Sequence, residues 1–429
     1  MESILNIQEK FIVDDSIKSL ETYAFQPISG TQYNSAGQIT IRIENQDAFF
    51  FPRRSWLQIE GKLVKAAAGA VYADADNISL TNNGLMYLFD NIKYELGGQE
   101  IESVYQPGYA TTMLGLTKYS SNFNMGPGLN QCWVLDSQTG VAEDANIGFK
   151  TRHDYIIEKP NLKGTFRFAI DLEHIFGFCE DYDKVMYGFI HTLTLVRTAN
   201  SNNAIFKDAD AAVGKIDIKK ISWMMPKVDP SDGQKYQLYK SIESKSVLNV
   251  GFRMRQCTTV ALPTTNTYTW RLGVRSAPEK PRYIMIGLQT DKANDQTKNA
   301  AVFDHCGLTN MFVLLNNTRY PAIDFNANFT TNEYENLYKD FCDFARKYYG
   351  IDWLVTSTGV DPMSYKEFYP IFVFDLSKQS ERLQQGIVDI TVEMAFGANV
   401  AAQTVAFALL ISDRKLKFQS DGKKMNVIY

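Results

Sequence analysis

One strand-turn-strand unit occurs twice in this chain, starting at Leu85 and again at Leu308, and that duplication narrows the folds open to it. The first copy, residues 85–104 (LMYLFDNIKYELGGQEIESV), places Gly97-Gly98 between two apolar runs. The second, residues 308–325 (LTNMFVLLNNTRYPAIDF), places Asn316-Asn317 at the corresponding point. Two-residue hairpin turns need positive φ angles, which Gly accepts freely and Asn tolerates. A polar loop precedes each copy, at residues 66–83 and 291–300, and a helical pattern follows each.

The flanking sequence repeats the same plan. In the first half, Ile39, Ile41 and Ile43 alternate with polar residues, and residues 55–64, 164–172, 188–197 and 215–225 read as further strands. In the second half the matching runs are 246–255, 267–274, 281–289, 370–376, 388–396 and 404–416. Helices are expected at 107–120, with Pro107 in the first turn, and at 332–349. In the latter, Thr330 and Glu333 have capping-box spacing and Leu337, Phe341, Phe344, Ala345 and Tyr348 form an apolar stripe. Residues 121–154 read as an irregular insertion. The order of elements in the two halves implies an antiparallel sandwich of about eight strands, built twice.

The expected division is an N-terminal arm over residues 1–27, a first sandwich over 28–228, a linker helix over 229–245 capped by Asp229 with Pro230 at its first position, a second sandwich over 246–416 and a tail over 417–429. A length of 429 residues suits two such units. An aromatic share of 13%, with 23 Tyr, favours strands and broad contact surfaces.

Net charge is −4 without any long basic run, which argues against wrapping nucleic acid by bulk electrostatics. The five cysteines, Cys132, Cys179, Cys257, Cys306 and Cys342, are scattered, so reduced thiols in an intracellular compartment are expected rather than a disulfide framework. The opening MESILNIQEKFIVDD lacks a basic and an apolar signal region, so no secretory signal and no glycosylation at Asn77, Asn316 or Asn328 are expected. Residues 394–411 carry no charge, but Gly397, Asn399, Gln403 and Thr404 interrupt them, and two strands explain the run better than a membrane span.

Catalytic signatures are absent from the sequence. Histidines 153, 174, 191 and 305 form no metal-ligand spacing, and His191 lies inside an alternating strand, where a structural role is expected. Asp74 and Asp76 lack the remainder of a calcium loop. GPGLNQ at 126–131 lacks the third glycine of a dinucleotide fingerprint. His305-Cys306 is the best nucleophile-like pair, yet neighbours on a strand face opposite ways. Glu180, Asp181 and Asp183 read as solvated loop acids. No catalytic, cofactor-binding or metal-binding residue is expected.

Taken with that architecture, the segments FDNIKYELGGQEIESV, GFCEDYDKVMYGFIHTLTLVR with NNAI after it, and KPRYIMIGLQTDKANDQTKNAAVFDHCGLTNMFVLLNN resemble the double jelly-roll major capsid proteins of the Polinton/Maverick and adintovirus type, within the lineage of PRD1 and adenovirus. The likeness extends from about residue 30 to 415 and rests on the ordered segments, none of which is a catalytic motif. It implies an all-β fold of two tandem eight-stranded antiparallel jelly rolls with short helices in the loops. It also implies a non-enzymatic, hexon-like homotrimer whose six jelly rolls form a pseudo-hexagonal capsomer. Neighbouring capsomers and penton or minor capsid proteins would be its partners, with no sequence-specific nucleic acid. The virion capsid would be its location, after assembly inside the host cell, and an internal membrane stays open. Loops 66–83, 121–154 and 291–300 would be tower or intersubunit candidates, and the arm and tail would tie capsomers together. The competing readings are a carbohydrate- or receptor-binding β-sandwich using Trp and Tyr platforms, and a glycan-processing enzyme using Glu180 and Asp183.

Overall fold

The computed structural model describes residues 15–28, 32–67, 69–141, 145–272, 280–316, 318–351, 357–378, 388–422 and 424–428. Residues 1–14 of the expected arm, Asn317 of the second turn, residues 379–386 of the polar loop before the last strands, and Lys423 and Tyr429 of the tail lie outside them.

In chain order the first half runs β1 (Ile17–Phe25), β2 (Gly37–Ile43), β3 (Phe49–Phe50), β4 (Trp56–Lys65), β5 (Ile78–Leu80), β6 (Phe89–Leu96) and β7 (Gln99–Tyr105). Helices α1 (Pro107–Lys118), α2 (Ser121–Met125) and α3 (Ile147–Ile156) follow, then β8 (Thr165–Asp171), α4 (Leu172–Ile175), α5 (Gly177–Asp181), β9 (His191–Arg197), β10 (Ile205–Lys207) and β11 (Gly214–Pro230). Helix α6 (Asp232–Glu243) leads into β12 (Val247–Ala261), β13 (Thr267–Leu272), β14 (Lys280–Thr290), β15 (Leu308–Leu315) and β16 (Thr318–Tyr320). The chain closes with α7 (Glu335–Tyr349), α8 (Pro362–Glu367), β17 (Phe372–Asp375), β18 (Ile390–Phe396), β19 (Thr404–Ser420) and β20 (Met425–Ile428).

The sheets are antiparallel and repeat one wiring. In the first sandwich β1-β11-β4-β8 faces β2-β9-β6-β7; in the second β12-β19-β14-β17 faces β13-β18-β15-β16. Setting aside the short β3, β5, β10 and β20, each half therefore orders its eight strands first-eighth-third-sixth and second-seventh-fourth-fifth, the jelly-roll order. The repeated hairpins, β6–β7 and β15–β16, fall at the same position in that order. Gly97 and Gly98 have φ of 57° and 83°, and Asn316 has φ of 43°, as tight hairpin turns require. Alternation supplies the core: Ile39, Ile41 and Ile43 are buried, and so are Leu57, Ile59 and Leu63 of β4.

Several local expectations are corrected. Residues 17–25, assigned to the arm, form the first strand of the first sandwich, paired with β11. Both faces of β1 are largely exposed, so it carries no periodic signal. Residues 85–88 are a 3-10 turn ahead of β6 and not strand. The loop 66–83 contains buried β5, and Thr81, Asn82 and Asn83 are buried because each side chain finds a partner: the Asn203 carbonyl at 3.0 Å, the Val134 N–H at 2.8 Å and Thr111 Oγ1 at 2.7 Å. The insertion 121–154 holds α2 and most of α3, the latter capped by Asn146, whose Oδ1 accepts from the Phe149 N–H at 3.0 Å. Ser231 and not Asp229 precedes α6, because Asp229 and Pro230 still belong to β11. Helix α7 begins at Glu335 behind Tyr334, so Thr330 and Glu333 form no capping box, while the expected stripe is buried. In the tail, β19 extends to Ser420 and β20 pairs with it. No described helix is long and apolar enough to cross a membrane.

Candidate functional site

The groups that do convergent chemistry in this chain lie at the junction of the two sandwiches, and they hold it shut. Helix α5 of the first half abuts β12 of the second. A Cβ at Gly177 would overlap the Arg253 carbonyl oxygen, so glycine permits the approach. Glu102 on β7 is fully buried and accepts the N–H groups of Gly177 at 3.1 Å, Phe178 at 2.9 Å and Arg255 at 2.8 Å, joining both halves through one carboxylate. Burial pushes its carboxyl up to about 7, although Arg255 and the three N–H donors pull it down.

Two arginines on the same face of β12 complete the lock. Arg255 Nη2 donates to Glu180 Oε2 at 2.6 Å, and its Nη1 donates to the Glu173 and His174 carbonyls at 3.0 and 2.7 Å. Lys118, at the end of α1, donates to Glu180 Oε1 at 2.7 Å. Burial alone would raise the Glu180 carboxyl; Arg255 and Lys118 outweigh it and hold the group down to about 2. Asp181 accepts the Arg253 N–H at 2.8 Å and its Nε at 2.9 Å, with Nη2 also in contact. The Arg253 guanidinium lies 3.7 Å from the Tyr348 ring centroid of α7. Glu180 and Asp181 are thus structural anions and not solvated loop acids. Asp183 does stay exposed, beside Lys184 at 2.9 Å. Glu180 and Asp183 therefore face different surroundings, and a carboxyl held near 2 keeps no proton to donate at neutral pH.

A second clamp involves loop 291–300. Gln296 imitates a peptide unit: its Oε1 accepts the Gly214 N–H at 2.8 Å while its Nε2 donates to the Gly214 carbonyl at 2.7 Å. The Lys207 N–H donates to the Gln296 carbonyl at 2.8 Å. Nearby, the fully buried Asp136–Arg152 pair, 2.7 Å apart, receives Asn299 Nδ2 at 2.9 Å, and Tyr369 Oη donates to the Asp136 carbonyl at 2.9 Å. Tyr109 and Phe407 stack at 3.9 Å across the same seam. Gln296 and Asn299 of this loop are thus spent on contacts within the chain, while Asp291, Ala293, Asn294, Asp295, Thr297 and Lys298 are exposed. Of all these groups, Glu102, Asp136, Arg152, Arg253, Arg255, Gln296 and Asn299 escape sequence reasoning; the one usable signal is the pair of arginines two apart within an alternating strand.

The remaining candidates are structural. His191 is buried and its Nδ1 lies 2.7 Å from Tyr94 Oη. His174 is buried between Tyr119 and Trp133, and burial drives its imidazole well below the ordinary range. His305 stacks on Phe329 at 4.3 Å in a turn before β15, whereas Cys306 Sγ lies 3.6 Å from Thr290 Oγ1, so they share no target. All five cysteines are free, and burial raises each thiol, which disfavours the nucleophilic thiolate. Asp76 pairs with Lys65 at 3.1 Å and Asp74 with Lys163 at 2.5 Å, leaving no calcium cage. Among the described residues His153, Asp154 and Glu158 could present three ligands, but both His153 nitrogens face carbonyl oxygens, of Ile78 at 2.8 Å and Asp74 at 3.1 Å. Trp133, Trp223 and Trp270 are buried and offer no sugar platform.

Comparison with known proteins agrees with this architecture. No curated protein matches the chain in sequence. Among solved structures, the mavirus major capsid protein superposes with a TM-score of 0.56 at 11% identity, covering 100% of this chain and 93% of that one. The Faustovirus major capsid protein gives 0.58 at 9% identity over 96% and 92% of the two chains, and a PBCV-1 virus capsid chain gives 0.57 at 10% over 98% and 99%. At such identities the likeness speaks for the fold. The family described as double jelly roll-like domain matches residues 78–416, most of the chain, and with the strand order found twice over it establishes that the chain belongs to that family.

Proposed function

We propose that this chain is a major capsid protein, a non-enzymatic building block of an icosahedral DNA virus or virus-like element of the Polinton/Maverick–adintovirus type. The observation that carries the reading is the repeated jelly-roll order locked by a buried junction. Two like modules at a fixed angle are what a trimer needs to present six similar sides. The structural neighbours named as major capsid proteins support it, and the buried ion pairs at the junction serve rigidity better than turnover.

In this reading three copies form a pseudo-hexagonal capsomer, and capsomers join one another and penton or minor proteins in the virion shell, assembled inside the host cell. In this reading the first jelly roll ends near residue 228 and the second near residue 416. Light scattering on the purified protein is expected to give a particle near three times 48.7 kDa. A monomer at every concentration would overturn the reading.

A further inference from the structure

Between the two sandwiches, beside the second clamp, opens a cleft of about 410 Å³ lined from both halves. Asp90 at the start of β6, Gln106 behind β7, and Asn200 and Asn203 behind β9 come from the first half. Thr259 near the end of β12 and Asn294 in the loop after β14 come from the second. Asp90, Asn200, Thr259 and Asn294 are exposed, whereas Tyr109 and Phe407, the stacked pair that also lines the cleft, are nearly buried and make its floor.

The rim is held by bonds that leave several of its polar groups free. Arg197, itself buried, donates through Nη1 to the carbonyls of Leu88 at 3.1 Å and Asn200 at 3.0 Å, and through Nη2 to Ser201 Oγ at 2.7 Å. Across the seam, Asn203 Oδ1 accepts the Asn294 N–H at 2.7 Å, and Asn202 Nδ2 donates to the Asn294 carbonyl at 3.1 Å. The side chains of Asp90, Gln106 and Thr259 form no hydrogen bond among the described residues. Asp90 is also the one charged side chain among the described residues of the lining. Amides and hydroxyls both donate and accept, as sugar hydroxyls do, and a carboxylate accepts from two neighbouring hydroxyls at once. A polyamine offers donors alone and calls for several carboxylates, and a lipid calls for an apolar rim. The volume admits about one or two pyranose rings, and a rim already fixed lowers the cost of ordering it around them.

We propose that this cleft is a saccharide-binding site for a neutral pyranose at the end of a glycan, with Asp90 and Gln106 as its principal hydrogen-bonding groups. Ligand-observed NMR on the purified full chain tests it, with the methyl glycosides of glucose, galactose, mannose and N-acetylglucosamine as probes, beside sialyllactose and spermidine. Wild type is expected to bind at least one neutral glycoside, and to bind it better than sialyllactose, because Asp90 repels a carboxylate. Asp90→Ala, which removes a charged acceptor, is expected to weaken that binding roughly tenfold or more. Thr259→Arg, which narrows the mouth with a bulky side chain, is expected to weaken it to a similar degree. Circular dichroism checks folding, and if one variant fails to fold the other decides. No binding of any neutral glycoside at millimolar concentration would overturn the proposal. Binding that is unchanged in the folded variants, or a preference for sialyllactose or spermidine, would also overturn it. The cleft lies within one chain, so light scattering that shows only monomers would remove the capsid reading and leave this one standing.

Discussion

Arg255 is the residue on which the junction depends most. It is 1% exposed and joins Glu180 to two carbonyls of the first sandwich. Removing one partner of a buried pair leaves the other charge uncompensated, so Arg255→Ala is expected to destabilise the fold by about 3–5 kcal/mol, read from the denaturant midpoint. A change below about 1 kcal/mol would mean that water replaces the guanidinium. The two junction glutamates act on stability in opposite senses. Glu180, depressed from 4.5 to about 2, contributes fully above 4.5, and that contribution is lost as pH falls toward 2. Glu102, raised from 4.5 to about 7, contributes fully below 4.5, and its contribution is lost as pH rises through about 7. Melting temperature should therefore fall between pH 5.5 and 8, and Glu102→Gln should flatten that slope. An unchanged slope would show that the three N–H donors keep Glu102 ionised throughout. None of this was legible in the sequence, because Glu102 sits in a strand whose polar residues read as solvent-facing and its partners lie some 75 to 153 residues away.

At the scale of elements, sequence pattern succeeds where one face is buried and fails where both faces are exposed or both are covered. The strands β2, β4, β6 and β18 alternate and are legible in the sequence; β1 has no buried face and reads as an arm. Helix α7 announced itself by a one-sided apolar stripe, while α1 was legible through Pro107 and composition although nearly all its residues are buried. Short α4 and α5 carry no helical period in four or five residues, yet they position the junction. Gly177 shows the consequence for packing. Gly177→Ala forces a methyl group into the β12 backbone, with an expected loss of about 1–3 kcal/mol in denaturant unfolding. A neutral result would mean that α5 can back away from β12. By contrast, Gly37→Ala, where nothing lies within 4 Å of the added carbon, is expected to stay within about 0.5 kcal/mol of wild type.

For the whole molecule, the duplicated hairpin was the decisive signal, since the turns at Gly97-Gly98 and at Asn316 mark equivalent corners of two jelly rolls. What the hairpins do not encode is how the rolls join. That depends on loop 291–300 and β12 reaching into the first half, contacts between residues distant in sequence that local periodicity does not register. The resulting unit has one continuous hydrophobic core and polar clamps on its seam, a rigid pair suited to threefold assembly. Electron microscopy of the purified protein tests this most directly. The account predicts threefold particles with a hexagonal outline, six β-sandwich lobes of similar size and, at higher concentration, sheets or shells of them. Single two-lobed particles under all conditions would contradict it.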